Sequence, residues 1–249
     1  MRLSIITVVY NNERTITDAV TSVLEQTFKD IEYIIIDGGS TDGTLERVKA
    51  YNNEIDVLIS EPDFGIYDAM NKGLRLATGD VIGILNSDDV YADNNVLATI
   101  MSQFNADKDL SMVYGDLVYV KADNLSNVVR TWRSIPYYTN YFEDGHVPPH
   151  PSLFIKREVY EQAGLFNTKM KLAADYELML RVFKLFKFKS SYLPSILVKM
   201  RLGGSTNKSW KNILNGNLEI LKAWKINGLS APILLMPARV IRRLAQFKQ

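Results

Sequence analysis

The sequence predicts an α/β fold, with a mainly parallel central sheet flanked by helices. Three observations carry this reading. Apolar, β-rich runs alternate with amphipathic stretches over the first hundred residues. The strand-like runs at 3–9, 31–36 and 81–85 are apolar at nearly every position, as strands buried on both faces are. Each ends abruptly in polar, turn-forming sequence: Tyr10-Asn11-Asn12, Asp37-Gly38-Gly39 and Asn86-Ser87-Asp88-Asp89.

In chain order, the first strand precedes a stretch in which Ile16, Val20, Val23 and Leu24 share one helical face. After the second strand, Ser40 or Thr41 supplies an N-cap for a helix reaching about residue 51. Residues 56–60 form a short third strand, and 66–77 a helix with Gly79 just past its end. The fourth strand at 81–85 leads through the acidic turn to a helix at 94–104. Segments 112–120 and 127–132 read as strands that need not be parallel. Residues 135–151 are aromatic and Pro-rich without periodicity, the pattern of a functional loop. A strand at 153–155, a helix at 172–186, an extended segment at 191–200 and helices at 209–226 and 231–247 complete the chain.

With 249 residues, 47% hydrophobic and 23% charged, the chain is long enough to bury a sizeable core. The 29 basic and 28 acidic side chains leave a net charge of +1, which gives no electrostatic reason to expect nucleic acid. The absence of cysteine excludes disulfides, thiolate nucleophiles and zinc–thiolate sites, and fits a reducing compartment. The apolar start breaks at Asn11-Asn12-Glu13-Arg14, too soon for a signal peptide. No apolar run reaches the roughly 18 residues a membrane span needs.

Ligands of open α/β sheets bind beyond the carboxyl ends of the strands. There, Asp88 and Asp89 form a hard-oxygen pair suited to Mg²⁺ or Mn²⁺, which would complete its shell with phosphate and water; a turn with a helix cap explains the same residues. The glycines at 38, 39 and 43 follow the second strand, so they are not a dinucleotide fingerprint, and no Gly-Lys-Ser/Thr phosphate loop is present. Asp37 either accepts hydrogen bonds from a nucleobase or ribose, or caps the helix that follows.

An ordered series of motifs narrows these alternatives: Thr7-Val8-Val9-Tyr10-Asn11, Gln26-Thr27-Phe28, Asp37-Gly38-Gly39-Ser40-Thr41-Asp42-Gly43-Thr44, Ala69-Met70-Asn71-Lys72-Gly73, Ala77-Thr78-Gly79-Asp80 and Leu85-Asn86-Ser87-Asp88-Asp89. It continues through His150-Pro151-Ser152-Leu153-Phe154, Gly164-Leu165-Phe166, Ala174-Asp175-Tyr176-Glu177-Leu178 and Arg181. As a set, from the first residue to about Arg201, these resemble family 2 glycosyltransferases of the GT-A fold, many of which build capsular, exopolysaccharide or O-antigen chains. The resemblance implies a Rossmann-like domain over 1–205, with a nucleotide-binding half (1–90), an acceptor-facing half (91–205) and a helical C-terminal extension at 206–249.

It further implies inverting transfer from a nucleotide-sugar, usually UDP-linked, to a hydroxyl of a glycan or polyprenyl-linked saccharide. The nucleotide would lie across Thr7, Tyr10, Asn11, Asp37 and Asn71. The metal, Mg²⁺ or Mn²⁺, would be held by Asp88 first and Asp89 second, with Asn86 and Ser87 contacting ribose or phosphate. Two departures from the family pattern stand out: Asn86 occupies the first acidic position of the metal motif, and Gly38 replaces a second acid after Asp37. Asp175 matches the general base, a role a carboxylate suits, although a first-turn acid also complements the helix dipole. Glu177, two residues on, points elsewhere on the helix.

His146 and His150 flank Val147-Pro148-Pro149, a stiff extended segment rather than a helical metal pair; His150 reads as an active-site loop residue. Trp132, Tyr137, Tyr138, Tyr141 and Phe142 either stack on sugars or pack the loop. Arg201-Leu202-Gly203-Gly204-Ser205 resembles the segment that closes over the diphosphate, with Arg201 as phosphate contact. From Pro232 onward the chain carries Arg239, Arg242, Arg243 and Lys248 without an acid, and Ile233, Met236, Val240, Leu244 and Phe247 recur at helical spacing. Such a helix either lies on an anionic membrane, which would place the enzyme at the inner, cytoplasmic face, or packs on the domain. Two other functions fit an acidic α/β site. A nucleotidyltransferase would want a Gly-rich basic loop after the first strand, which is missing; a non-catalytic sugar-nucleotide-binding subunit would have no need of Asp88, Asp89 and Asp175.

Overall fold

The structure is a computed structural model describing residues 1–203 and 210–247. Gly204, Ser205, the start of the helix expected at 209, the expected boundary at 205/206, and Lys248 lie outside the described residues. Nine strands build one sheet: β1 (Leu3–Val9), β2 (Ile31–Asp37), β3 (Val57–Ser60), β4 (Val81–Asn86), β5 (Val90–Tyr91), β6 (Met112–Lys121), β7 (Asn124–Trp132), β8 (Leu153–Lys156) and β9 (Ser190–Arg201). Around them are α1 (Ile16–Leu24), α2 (Thr44–Lys49), α3 (Ile66–Leu76), α4 (Val96–Ala106), α5 (Arg157–Ala163), α6 (Ala174–Leu180), α7 (Trp210–Ile226) and α8 (Leu235–Ala245). A 3-10 turn at His150–Ser152 precedes β8, and a π-helical turn at Arg181–Leu185 continues α6. The two-residue β5, which pairs with β9, and the short α5 have too few residues to show a period, so no sequence pattern announces them.

The sheet order is β3-β2-β1-β4-β8-β6-β9-β5, with β7 on β6. Strands β3, β2, β1 and β4 are mutually parallel, as are β6 and β9, whereas β8 runs antiparallel to both neighbours. Alternation along β1 divides the core. Ile6 and Val8 face a layer containing α3, α5, α6 and α7; Leu3, Ile5 and Val9 face α1 and α4. The C-terminal helices belong to the first layer: Trp224 of α7 is fully buried and its indole donates to the Tyr176 hydroxyl at 2.9 Å, and Leu235 at the start of α8 is fully buried.

One buried carboxylate ties the N-terminal strands together. Ser4 and Glu32 are register partners on β1 and β2, and Glu32 accepts from the Ser4 hydroxyl (2.5 Å), the Thr78 hydroxyl (2.6 Å) and the Thr78 amide (2.7 Å). Burial alone would raise the Glu32 pKa, but these hydrogen bonds and Arg2 outweigh it and leave it below the ordinary value. A depressed carboxylate stabilises the fold above its unfolded pKa and ceases to do so as pH falls through the folded one. Glu32→Gln is expected to cost about 1–3 kcal/mol at neutral pH. In urea unfolding, the gap between wild type and variant should close as pH drops below about 4.

Candidate active site

Because β1 to β4 are parallel, their carboxyl ends share one edge, and four loops leave from it: after Val9, Asp37, Ser60 and Asn86. These loops are stitched to one another. Asn11, at a left-handed φ of 47°, accepts from the Thr41 amide and donates its own backbone amide to the Ser40 hydroxyl, both at 2.8 Å. Asn12 donates through its side chain to the Ser87 hydroxyl at 2.9 Å, and Thr15 donates to the Ser87 carbonyl. Ser87 therefore joins the first loop to the acidic turn.

Asp37 is fully buried, and its carboxylate accepts from the Ser40 amide and hydroxyl and from Ser60 Oγ (2.6 Å). These bonds hold the Asp37–Ser40 turn to the end of β3, while α2 has Gly43 at its N-cap without a side-chain bond. A Cβ on Gly38 would stand 2.4 Å from Asp63 Oδ2 and 3.4 Å from the Tyr10 ring. The space of the missing second acid is thus taken by a carboxylate from the β3–α3 loop, beside a Tyr10 side chain that is 63% exposed.

Three expected contacts are corrected. The Thr7 hydroxyl lies in the core against Tyr33 (3.1 Å), because position 7 falls on the β1 face that packs α1 and α4. Asn71 is buried with both ends of its amide paired to the Phe166 backbone (2.9 and 3.0 Å), so it fastens α3 to the loop before α6. Arg201 is buried and engaged internally, donating to the carbonyls of Asp88 (2.8 Å) and Ala122 (3.2 Å) and to the Asp18 carboxylate. It supports the acidic turn through the Asp88 carbonyl.

In that turn Asp88 is half-buried and Asp89 fully buried. Asp89 accepts from the Asn86 side-chain amide (3.2 Å) and the Arg201 amide (3.3 Å); burial, and then the charge of Asp88, push its pKa well above the ordinary value. The Asn86 carbonyl oxygen is buried without a hydrogen-bond partner. No group of three acidic or imidazole ligands occurs among the described residues. Two adjacent carboxylates beside an orphaned amide oxygen nevertheless form an incomplete hard-oxygen set, the kind that a substrate's phosphate oxygens complete around Mg²⁺ or Mn²⁺.

The antiparallel strand β8 brings the second half of the site to this edge. Gly83 pairs with Phe154, so the turn that precedes β8 runs beside the carboxyl end of β4 and carries His150 there. His150 packs edge-on to Phe166 (5.5 Å between centroids); burial lowers its pKa, opposed by the charge of the neighbouring Asp175. Asp175, half-buried in the first turn of α6, accepts at 2.9 Å from the Tyr67 hydroxyl at the start of α3. His150 and Asp175 are therefore neighbours, with His150 beside the carboxyl end of β4, from which the acidic turn follows. Glu177 turns inward to Arg181 (2.9 Å), apart from Asp175. Of the loop aromatics, Tyr141 and Phe142 are fully buried against Tyr137 and Phe183 and Trp132 stacks on Tyr119, whereas Tyr138 is exposed.

The family model for glycosyl transferase family 2 matches residues 4–162. The chain belongs to this family. An uncharacterized glycosyltransferase of Mycobacterium tuberculosis is 31% identical over 181 residues, covering 72% of this glycosyltransferase and 68% of the relative. Chondroitin synthase of Pasteurella multocida is 33% identical over 206 residues, 82% of this chain but 21% of the synthase. The fold is shared with S. aureus TarS 1-349 in complex with UDP (TM-score 0.69, 16% identity, covering 98% of this chain and 72% of that one). It is shared too with a mannosyltransferase from Pyrobaculum calidifontis in complex with GDP-Man and Mn²⁺ (TM-score 0.66, 19% identity, 98% and 74%).

Sequence reasoning missed Tyr67, Asp63 and Glu219. Tyr67 lies two residues before a recognised motif, and its hydroxyl becomes informative only once α3 meets α6. Glu219 of α7 accepts from the amides of Lys171 (2.9 Å), Leu172 (2.8 Å) and Ala173 (2.9 Å), the donors that would otherwise be orphaned ahead of α6. Glu219→Ala is expected to lower stability by about 1–3 kcal/mol. Hydrogen exchange should accelerate most at Leu172 and Ala173, and transfer should fall because Asp175 loses its fixed position.

Proposed function

We propose that this glycosyltransferase moves a sugar from a nucleotide-sugar, a UDP-sugar, to a hydroxyl of a glycan or polyprenyl-linked saccharide in surface polysaccharide assembly, with inversion at the anomeric carbon. The observation that carries the reading is the placement of Asp175: half-buried, oriented by Tyr67 and neighbour to His150, which lies beside the carboxyl end of β4. In the transfer, the acceptor oxygen bonds to the anomeric carbon while the bond from that carbon to the diphosphate oxygen breaks. The acceptor proton passes to Asp175, and the bonding pair leaves with the nucleoside diphosphate.

Asp88, with Asp89 and the free oxygen of Asn86, would hold Mg²⁺ or Mn²⁺. When bound, the cation neutralises charge on the departing diphosphate. The Mn²⁺ in the mannosyltransferase complex supports this reading, and the UDP in the TarS complex supports the donor class. Exposed Tyr10 and the Asp63 carboxylate beside Gly38 offer a ring face and an acceptor for a base N–H, a role that internally satisfied Asp37 leaves vacant. Membrane contact at the cytoplasmic face is supported by the C-terminal segment, where Ile233, Leu234, Val240, Ile241, Leu244 and Phe247 are exposed close to Arg242. No helix among the described residues is long and apolar enough to cross a membrane.

Asp175→Asn should reduce transfer by about 10²–10⁴-fold while UDP affinity, read by titration calorimetry, stays unchanged; wild-type turnover in the variant would refute the base assignment. Chelation with EDTA should abolish UDP-sugar hydrolysis, with recovery on adding Mn²⁺ or Mg²⁺. Hydrolysis that persists without metal would refute the cation's part.

A further inference from the structure

Helix α8 presents one cation that the fold engages through a ring face and not through a hydrogen bond or ion pair among the described residues. Arg239 is half-buried, with its guanidinium 4.8 Å above the Tyr176 ring, adjacent in sequence to Asp175. The charge of Asp175 acts on it, yet among the described residues it makes neither an ion pair nor a hydrogen bond. Arg181 is committed to Glu177 and the carbonyls of Ala163 and Leu165, and Arg201 to Asp18 and two carbonyls. Buried Arg130 instead stacks on Tyr119 with its Nε unpartnered, far along the chain from Asp175. Burial pulls the Arg239 pKa below its usual value, the mark of a guanidinium losing water without gaining a protein acceptor.

The position of Arg239 is tightly set. Gly145, at a φ of 80°, allows the backbone of Ala238 and Arg239 to approach so closely that a Cβ there would stand 2.6 Å from the Arg239 nitrogen. Leu235 anchors the start of α8 in the core, and the Gln246 carbonyl accepts from Thr131 at its far end. The helix therefore runs from the Asp175 side towards the β6–β7 hairpin. One turn beyond Arg239, Arg243 acts electrostatically on Tyr119, which also senses Asp89. Arg239 thus lies within electrostatic reach of Asp175, and Arg243, four residues on, within reach of Tyr119.

We propose that Arg239 is a phosphoryl-binding residue of the cleft, with its unpaired guanidinium donating to a phosphate-bearing substrate group next to Asp175. The planar fork of arginine matches phosphate oxygens in bidentate fashion. The inference deepens the glycosyltransferase reading and rests on it. Two sources supply the chemistry: the donor's diphosphate, or a diphosphate that links an acceptor saccharide to its lipid.

The test is calorimetric titration of the full chain, wild type against Arg239→Gln and Arg239→Lys, with Mn²⁺ present. UDP and uridine are the first pair of probes; geranyl diphosphate and geraniol, added at saturating UDP, are the second. Recognition of the donor predicts that Arg239→Gln weakens UDP by about tenfold or more, spares uridine, and is partly rescued by Arg239→Lys. Recognition of the acceptor predicts the same pattern for geranyl diphosphate against geraniol, with UDP unaffected. The proposal is overturned if Arg239→Gln binds both diphosphates as the wild type does, or if uridine and geraniol affinities fall in parallel with their diphosphates. Arg239→Met, which keeps the stem over Tyr176, and the thermal midpoints of all variants separate loss of recognition from loss of fold. Wild-type protein that binds no UDP would instead refute the donor assignment, and this inference with it.

Discussion

The site depends on the direction of one short strand. A parallel sheet puts all its carboxyl ends on one edge, and β1 to β4 alone would supply only half of a reaction centre. Strand β8 lies antiparallel between β4 and β6, so it begins at that edge and leaves by the opposite one. His150 arrives with the turn before β8, and α6 follows close behind, held by Tyr67 from α3 and by Asn71 through Phe166. With β8 parallel, the turn that carries His150 would lie at the opposite edge from the acidic turn.

Around this frame, the polar side chains divide into those that hold loops and those left open. Asp37, Asn71, Arg201 and Ser87 all sit where a substrate contact was expected, yet each is engaged within the protein. Unpaired backbone donors and acceptors at strand ends are costly to bury, so the nearest polar side chains are recruited to satisfy them. Among the groups left over are the Asn86 side-chain oxygen, the Arg239 guanidinium and the exposed ring of Tyr10. The groups available for ligand binding are thus fewer than the motif residues, and they are contributed by different elements.

The C-terminal helices are more than an appendage. Glu219 of α7 completes the hydrogen bonding ahead of α6, Trp224 fills the core beneath Tyr176, and α8 places Arg239 over that same ring. The family match ends at residue 162, so it includes Tyr67 and His150 but not Asp175, Glu219 or Arg239.

Most of the framework was legible in the sequence. Buried parallel strands are continuous apolar runs, and surface helices keep a 3.6-residue period, so β1, β2, β4, α1 and α3 could be placed from local pattern alone. The ordered motifs likewise located the acidic turn and Asp175. Side-chain partnership was not legible, because it joins positions far apart in the chain: Tyr67 with Asp175, Glu219 with the amides before α6, Asp63 with the space over Gly38. The sequence by itself determined which residue types stand at each strand end. Only the tertiary structure decided which of them spend their hydrogen bonds on the fold and which keep them for a ligand, since that depends on what packs within about 3 Å of each polar atom.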